Sequence, residues 1–493
     1  MPFSSQSQAK TPLLDALREC ASKQDAPFYT PGHKRGQGIP QPLADCLGSA
    51  VFRADLPELA ELDNLFAPQG VIQEAQELAA AAFGAERTWF LVNGSTCGIE
   101  AAILAACSPG DKIILPRNVH QSVIAALILS GAVPVFVNPE YNSVLDIAHS
   151  ITPDGVATAL QQHPDTKVIM MIYPTYYGVC GDVAQVAQLA HQHGIPLLVD
   201  EAHGPHFAFH PDLPTPALAS GADLTVQSIH KVLGAMTQAS MLHVQGSWID
   251  TDRLSKSLQL LQSTSPSYLL LASLDAARQQ MALQGKQLMS RTLQLADAAR
   301  TQISQIPGLS VLESVVPMPG FITLDKTRLT VIVSGLGLTG FEADDILNQQ
   351  LSVTAELPSL QHLTFIISLG NTEADITALV QAFTTLSKEY RRASSDRAVP
   401  ISEKVTQIAD ACLSLISPRD AFFSQTETLP LAKSCDRISA ELVCPYPPGI
   451  PVLMPGEVIT RAALDYLQQI QAVGGFISGC ADTSLSTLKV VKA

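Results

Sequence analysis

The sequence predicts an α/β protein with a mainly parallel central sheet, a smaller α/β domain and a C-terminal α+β segment. Between about residues 87 and 244, short apolar runs alternate with helical patterns, which is typical of parallel βαβ units. A second, smaller α/β segment extends from about residue 308 to 392. The chain has 493 residues, of which 46% are hydrophobic, and can therefore form two or three domains and a large core.

Six short apolar runs predict the buried strands of the central sheet, at residues 89–92, 112–116, 133–137, 168–173, 196–200 and 224–230. Helical patterns lie between them at residues 97–107, 119–130 and 183–193. Ligands of such sheets bind beyond the carboxyl ends of the strands. Polar side chains that follow these strands are therefore candidate site residues.

The remainder of the chain predicts further regions. Residues 251–300 are strongly helical with a break around 263–267, and residues 391–402 (RRASSDRAVPIS) are polar and predict a linker. Residues 444–456 (CPYPPGIPVLMPG) contain too much proline and glycine for a helix and predict a rigid loop. We expect four regions: an N-terminal arm (1–54), a large domain (55–300), a small α/β domain (301–395) and a C-terminal domain (396–493).

Charge and composition argue against several classes of function. A net charge of −15 argues against nucleic acid as the main partner, because phosphate binding needs a basic surface. The nine cysteines are isolated and form no CxxC motif, so neither a disulfide framework nor a metal site is indicated. The first 23 residues lack the pattern of a signal peptide, and no apolar run approaches the roughly 20 residues of a membrane span. We therefore expect a cytoplasmic protein without a membrane partner.

The most informative stretch is residues 226–240, VQSIHKVLGAMTQAS. Lys231 follows an apolar run, with Ser228 and His230 just before it and small residues after it. A lysine that forms a Schiff base with a cofactor needs a rigid position, nearby phosphate-binding groups and space for a flat ring. Most lysines are solvated surface residues, but this surrounding pattern makes that alternative the weaker one.

Residues 226–240 resemble, position by position, the cofactor-attachment segment of the ornithine/lysine/arginine decarboxylases of aspartate-aminotransferase fold (fold type I). Further stretches that resemble this family are TPGHKRG (30–36), NGST (93–96), RNVHQS (117–122), DEAHG (200–204), TSPSY (264–268) and PYPPGIP (445–451). The resemblance implies pyridoxal 5′-phosphate as cofactor, bound in the large domain and linked to Lys231 as a Schiff base. It also implies that the enzyme decarboxylates a basic amino acid.

The segment DEAHG carries three candidate site residues. Asp200 ends an apolar run, where its carboxylate can pair with the pyridinium nitrogen of the cofactor or simply cap the next helix. The resemblance assigns the first role. Ala202 is small enough to lie flat under the cofactor ring. His203 can hydrogen-bond the ring oxygen or the imine. Alternatively, it is an ordinary loop histidine.

A phosphate site is predicted where NGST joins a strand to a helix. Backbone N–H groups at a helix start, with hydroxyls beside them, bind anions, although an ordinary helix cap is a common alternative. By resemblance, the residues that bind the cofactor phosphate are Ser95, Thr96, Ser228 and His230. Cys97 stands where many relatives have another small or hydroxyl residue, which leaves the ligand set uncertain by one position.

Three further residues receive roles by resemblance. His120 follows a predicted strand, and the matching histidine of the family stacks on the cofactor ring; a structural hydrogen bond at a helix start is the alternative. Thr264 and Ser265 precede Pro266 in the helix break and are expected to reach the cofactor phosphate of a neighbouring subunit. The expected assembly is therefore a homodimer, or a higher homo-oligomer, with a shared active site.

The substrate is expected to be arginine, giving agmatine, or lysine, giving cadaverine, with ornithine also within the family. Its basic group needs an acidic partner, for which the candidates are Asp55, Asp63, Glu356, Glu441 and Asp482. Because the family match begins near residue 30, we expect the short form, without the N-terminal receiver-like domain of the larger inducible members.

Two alternatives remain from the sequence. An aminotransferase or aldolase can share the fold, and an aminotransferase would hold the substrate carboxylate with a late arginine, for which the candidates are Arg328, Arg419, Arg437 and Arg461. A non-catalytic paralogue is the other alternative. The presence of Lys231, Asp200, His120 and His203 argues against it.

Overall fold

The computed structural model describes residues 5–313, 316–391, 415–446, 450–472 and 474–492. The predicted linker lies outside the described residues from residue 392 onwards, as do residues 447–449 of the proline-rich stretch. Within the described part of the chain, no helix is both long and apolar enough to cross a membrane. The chain divides into two compact units, Met1–Ala105 with Leu198–Ser290, and Ala106–Leu197 with Arg291–Ala493. The boundaries between the four predicted regions stay a prediction.

A seven-stranded sheet confirms the predicted central sheet. Its strands are β1 Arg87–Leu91, β2 Lys112–Pro116, β3 Val133–Val137, β4 Thr166–Ile172, β5 Leu197–Asp200, β6 Leu224–Gln227 and β7 Ser240–Val244. Their order across the sheet is β1-β7-β6-β5-β4-β2-β3. Strand β2 pairs in parallel with β3 and β4, and β5 pairs in parallel with β6, whereas β7 is antiparallel to both β1 and β6. The sheet is therefore mainly parallel with one reversed strand.

The structure differs from the sequence prediction at two places in this sheet. Strand β7 is not among the six predicted runs, because its apolar residues are interrupted by Ser240 and His243, which are nevertheless buried. The strand predicted at residues 224–230 is wrong at its end, because β6 stops at Gln227 and Ile229–Val232 form one helical turn. Lys231 therefore lies on a short helix that follows the strand.

The first unit contains helices Pro12–Ser22, Gln41–Leu47, Ser49–Ala54, Val71–Phe83, Gly94–Ala106 (as far as Ala105), Thr251–Leu261 and Tyr268–Ser304 (as far as Ser290). Helix Val71–Phe83 buries Ile72, Ala75 and Leu78 at helical spacing and ends at Gly84, whose φ of 75° permits the left-handed cap. The two last helices are separated by residues 262–267, so the predicted helix break is confirmed.

The second unit contains helices Gln121–Ser130, Pro153–Gln162, Val183–Gln192, Gly340–Leu351, Glu373–Tyr390, Pro418–Phe423 and Arg461–Ala472. The predicted small α/β segment is present as an antiparallel sheet, whose strands in order are Ser310–Val311, Arg328–Ile332, His362–Ile366 and Leu357–Pro358. Two of its helices begin with capping boxes, at Thr339 and Thr372. The C-terminal segment adds the pairs Thr426–Pro430 with Thr487–Val491 and Cys444–Tyr446 with Phe476–Ser478.

Candidate active site

The side chain of Lys231 lies against that of His203. The Lys231 Nζ is 3.0 Å from the His203 Nε2, and His203 is buried whereas Lys231 is partly exposed. The Lys231 N–H donates to the Ser228 carbonyl within the short helical turn, and the His230 N–H ties this turn to the residue before β7 by donating to the Ala239 carbonyl. The amine is therefore held in place beside an imidazole while remaining accessible from solvent.

Asp200 ends strand β5 and is buried, with 8% exposure. Its Oδ1 accepts a hydrogen bond from the Ala202 N–H at 3.1 Å. Burial raises the pKa of the Asp200 carboxyl, while the positive charge of Lys231 opposes this rise. The charges of Asp200 and Lys231 therefore influence each other. A further cationic group nearby would favour the ionised form of the Asp200 carboxyl.

Three serine hydroxyls meet at the start of helix Gly94–Ala106. The Ser95 Oγ is 2.7 Å from the Ser228 Oγ and 3.3 Å from the Ser240 Oγ. Ser95 and Ser228 are predicted phosphate ligands, whereas Ser240 was missed, although it closes the stretch that resembles the family. With the N–H groups of the helix start, these hydroxyls form a set of donors suited to a phosphate.

Of the other residues near this serine cluster, one is buried and two are exposed to different degrees. Cys97 is buried, donates through its Sγ to the Gly94 carbonyl, and burial raises the pKa of its thiol to about 12, so it stays protonated and apolar in character. Thr96 is exposed, and His230 is partly exposed. Burial and the neighbouring Lys231 charge lower the pKa of His230, so it is neutral at pH 7. The contacts of Thr96 and His230 with a phosphate stay a prediction.

Helix Gly94–Ala106 packs very closely on the sheet at Gly98. A Cβ atom at that position would lie 2.7 Å from both the Leu91 Cδ1 and the Val226 Cγ1. Such a distance is too short for carbon atoms, so only glycine lets the helix start approach strands β1 and β6. The close approach brings Ser95 to Ser228.

His120 belongs to the second unit, where it caps helix Gln121–Ser130. Its Nδ1 accepts a hydrogen bond from the Ser122 N–H at 3.2 Å and lies 3.0 Å from the Ser122 Oγ. The nearby Arg117 forms a buried ion pair with Glu457 at 3.1 Å and donates to the Pro451 carbonyl, which ties this loop to the end of the proline-rich stretch. The predicted stacking of His120 on a cofactor ring stays a prediction.

Thr264 and Ser265 are exposed in the break between two helices. The residues just before them are fixed to the end of β1: the Gln262 Oε1 accepts from the Val92 N–H at 2.9 Å, and the Ser263 N–H donates to the Asn93 Oδ1 at 3.4 Å. This arrangement leaves both hydroxyls on the surface. Their predicted contact with a neighbouring subunit's cofactor stays a prediction.

Two candidate partners for a basic substrate group have structural roles in the C-terminal segment. The Glu441 carboxylate accepts hydrogen bonds from the N–H groups of Ala481 at 2.8 Å and Lys489 at 2.7 Å. The Asp482 carboxylate accepts hydrogen bonds from the hydroxyls of Ser484 and Thr487, which are the main cause that lowers its pKa to about 2, and from the N–H groups of the same residues. Both carboxylates therefore stabilise the backbone of the C-terminal segment.

Asp55 and Glu356 differ from these acids, because among the described residues no backbone N–H donates to their carboxylates. Asp55 is partly exposed and its Oδ2 lies 3.1 Å from the His33 Nε2. Glu356 is exposed. They are the members of the predicted set whose carboxylates are most available to a ligand.

The fifth acid, Asp63, organises the loop before helix Val71–Phe83. Its two oxygens accept hydrogen bonds from the backbone N–H groups of Asn64, Gln69, Gly70, Ile72 and Gln73. Partial burial acts to raise the pKa of this carboxyl, but the backbone hydrogen bonds outweigh burial and the pKa is lowered. Asp63 is therefore a structural carboxylate.

This lowered pKa predicts a pH-dependent stabilisation. A carboxyl whose pKa is lower in the folded chain stabilises it fully above the unfolded pKa of about 4, and the stabilisation is lost as pH falls through the folded pKa. Asp63→Asn should lower the free energy of unfolding at pH 7 by about 1–3 kcal/mol, because the amide presents donors where one oxygen accepted. In urea unfolding, this difference should shrink below pH 4. Asp465→Asn, at an exposed position, is the control; an equal loss at pH 7 and pH 3 would contradict the prediction.

Comparisons with known proteins identify the relatives of this chain. Residues 11–345 match the family model described as Orn/Lys/Arg decarboxylase, major domain, and residues 408–481 match its C-terminal domain. The chain is 41% identical to the arginine decarboxylase of Bacillus anthracis over 99% of this chain and 98% of that protein.

Solved structures define the fold. The lysine decarboxylase of Francisella novicida is similar with a TM-score of 0.84 at 22% identity, covering 99% of this chain and 82% of that chain. The alanine–glyoxylate aminotransferase of Nostoc sp. is similar with a TM-score of 0.51 at 18% identity, covering 66% and 88%. These similarities confirm the aspartate-aminotransferase-like type I fold. The two family-model matches and the 41% identity to an arginine decarboxylase establish that the chain belongs to the Orn/Lys/Arg decarboxylase family of amino-acid decarboxylases.

Proposed function

We propose that this chain is an arginine decarboxylase that binds pyridoxal 5′-phosphate through Lys231 and releases agmatine and carbon dioxide. The observation that carries the proposal is the Lys231 Nζ, held 3.0 Å from the His203 Nε2 beside the buried carboxylate of Asp200. Support for arginine over lysine comes from the 41% identity to an arginine decarboxylase along the whole chain. The structurally similar lysine decarboxylase is 22% identical.

The donor set fits this cofactor. The hydroxyls of Ser95 and Ser228 meet at a helix start, where a phosphate is favourable, and Asp200 supplies a carboxylate for a protonated ring nitrogen. When bound, pyridoxal phosphate supplies an aldehyde that links to an amine and a ring that accepts the electrons left by a departing carboxylate. In this proposal the phosphate ligands are Ser95, Thr96, Ser228 and His230, with Ser240 added from the structure.

The side chains around Lys231 divide the remaining tasks. Asp200 keeps its partner nitrogen protonated because a buried carboxylate without a cation is costly. His203 orients the Lys231 amine and Ala202 leaves space for a flat ring. The proton that returns to the substrate α-carbon comes from the Lys231 Nζ or from His120, which we place over the ring by family resemblance.

Three of the four late arginines considered for an aminotransferase form contacts within the fold. Arg328 is fully buried beside the Asp325 carboxylate, Arg437 pairs with Glu427 at 2.6 Å, and Arg419 donates to two carbonyls at the end of helix Gln121–Ser130. Arg461 is exposed. These contacts favour decarboxylation over amino-group transfer.

Assembly and location follow from the same proposal. Thr264 and Ser265 are exposed hydroxyls in a helix break, and we propose that they complete the phosphate site of a neighbouring subunit in a homodimer or higher homo-oligomer. Sedimentation velocity of the cofactor-loaded protein tests the assembly. A cytoplasmic location is part of the proposal.

A substrate panel tests the function. The purified chain, supplied with pyridoxal phosphate and separately with arginine, lysine and ornithine, should release carbon dioxide fastest from arginine and yield agmatine. A difference of about 1–3 kcal/mol in transition-state stabilisation, or roughly 10–200-fold in kcat/KM, is expected between head groups of different shape. Carbon dioxide from lysine at an equal rate would refute the arginine assignment, and a keto acid product would refute decarboxylation.

A further inference from the structure

The segment DEAHG contains a second acid, Glu201, which the functional assignment does not use. Glu201 is fully buried, with 0% exposure. Its Oε1 accepts a hydrogen bond from the Ala217 N–H at 2.8 Å, and its Oε2 accepts from the Gln227 Nε2 at 2.9 Å. None of the ion pairs formed by the described residues includes it. Burial raises the pKa of this carboxyl to about 8, so the group is mainly protonated at pH 7 and avoids the free-energy cost of a buried charge.

Glu201 begins a row of hydrogen-bonded side chains that crosses the sheet. The Gln227 Oε1 is 3.1 Å from the His243 Nε2, and the His243 Nδ1 is 2.7 Å from the Thr88 Oγ1. These residues lie after β5, on β6, on β7 and on β1, which are neighbours in the sheet. All four are buried, so the row links strands deep inside the unit.

The protonation of His243 gives this row a direction. Burial lowers the pKa of His243 to about 3, so the imidazole is neutral and donates through one nitrogen while accepting at the other. Thr88 then donates to the His243 Nδ1, the His243 Nε2 donates to Gln227, and Gln227 donates to Glu201. Every hydrogen bond of the row therefore points towards the Glu201 carboxyl group.

The Glu201–Gln227 bond joins the two segments that carry the site. Asp200 to His203 lie on one side of it, and Ser228 to Lys231 on the other. Two backbone bonds accompany it, from the Glu201 N–H to the Val226 carbonyl at 3.0 Å and from the Ser228 N–H to the Ala202 carbonyl at 3.3 Å. The 3.0 Å approach of His203 to Lys231 spans the same two segments.

Gly204 shows how tightly the Glu201 side chain is enclosed. A Cβ atom at Gly204 would lie 2.8 Å from the Glu201 Cγ and 3.0 Å from the Phe207 ring. The glycine thus provides the space that the acid occupies. The acid and the glycine of DEAHG form one packing unit behind the site residues.

We propose that Glu201 is a positioning residue that, through Gln227, holds the His203 imidazole against the Lys231 amine. The proposal rests on the proposed function, because it assigns Lys231 as the attachment point of pyridoxal phosphate. A row of fully satisfied buried polar groups fixes one arrangement of the strands it joins. Glu201 therefore acts on the cofactor without touching it.

Matched substitutions at Glu201 and Gln227 distinguish the proposed positioning role from an effect of packing alone. Glu201→Gln can keep every bond of the row if the Gln227 amide turns over and His243 adopts its other tautomer. Glu201→Leu has a similar size and loses both bonds, and Gln227→Leu breaks the same link from the other side. Gln245→Leu is the control, because Gln245 also donates two side-chain hydrogen bonds, to the carbonyls of Leu218 and Ala222, but joins no site residues.

The experiment measures the dissociation constant of pyridoxal phosphate for each folded variant by visible absorbance, with thermal unfolding recorded alongside. Both leucine variants should bind the cofactor at least about tenfold more weakly and shift its absorbance maximum, while Glu201→Gln and the control should stay within about threefold. Where Glu201→Leu does not fold, Gln227→Leu gives the same test. Wild-type affinity in the leucine variants, or tenfold weakening by the control, overturns the proposal.

A double-mutant cycle with His203→Leu tests whether Glu201 acts through His203. If it does, Glu201→Leu should weaken cofactor binding far less in the His203→Leu background than in the wild type. Equal factors in both backgrounds would reduce Glu201 to a general structural residue and overturn the proposal. A wild-type chain that takes up no pyridoxal phosphate would instead refute the proposed function, before any variant is compared.

Discussion

Lys231→Ala should remove both the visible absorbance of a bound cofactor and the turnover of arginine. The amine of Lys231 is the group proposed to link covalently to the cofactor aldehyde, and the methyl group of alanine cannot form this link. Loss of a covalent catalytic group should lower kcat by at least about 10³-fold. Absorbance spectroscopy of the protein incubated with pyridoxal phosphate, followed by measurement of carbon dioxide release, checks both expectations.

Two further variants distinguish the covalent link formed by Lys231 from the effect of its positive charge. Lys231→Arg keeps a positive charge beside Asp200 but should be as inactive as the alanine variant, because a guanidinium is not a nucleophile at neutral pH. Lys256→Ala removes an exposed lysine from helix Thr251–Leu261 and should leave absorbance and turnover unchanged. An active Lys231→Ala variant with wild-type absorbance would require another attachment residue.

Most of the central sheet could be predicted from the sequence because its strands are short, mostly apolar runs, and apart from the edge strand β3 they are largely buried. β7 could not be predicted for a physical reason. Its sequence, SMLHV, contains two polar residues, and these are buried because Ser240 bonds to Ser95 and His243 bonds to Thr88 and Gln227. Local polarity indicates a loop unless the distant partners are known.

The same limit applies within the candidate site. Lys231 and His203 were predicted from motifs, and the structure places their nitrogens 3.0 Å apart. Ser240 and Glu201 were not singled out, since their importance depends on partners far along the chain: Ser95 is 145 residues from Ser240, and Gln227 is 26 residues from Glu201. Motifs locate the residues that touch a ligand more readily than those that support them.

For the acidic residues, the sequence names too many candidates rather than too few. Composition and position could name five acids for a basic substrate group but could not rank them. In the structure, backbone N–H groups bind Asp63, Glu441 and Asp482, so these acids have a folding role that explains their presence. Backbone hydrogen bonds leave no trace in a sequence, because every non-proline residue can donate one.

Asp200→Asn should separate the two roles that the sequence allows for Asp200. The carboxylate accepts a hydrogen bond from the Ala202 N–H, as a simple cap would, and an asparagine oxygen can accept that bond equally well. If Asp200 were only a cap, the variant would turn over arginine normally. As the partner of a protonated ring nitrogen, it should lose roughly 10²–10³-fold in kcat, because a neutral amide does not hold a positive charge in a buried site.

A matched cap makes this expectation specific. Asp250 caps helix Thr251–Leu261 by accepting from the N–H groups of Asp252 and Arg253. Asp250→Asn should leave kcat and thermal stability nearly unchanged, since asparagine and aspartate are equivalent caps. Steady-state kinetics with arginine and cofactor titration compare the two variants. Equal, wild-type-like kcat values for both would assign Asp200 to the fold and leave the ring nitrogen without its proposed partner.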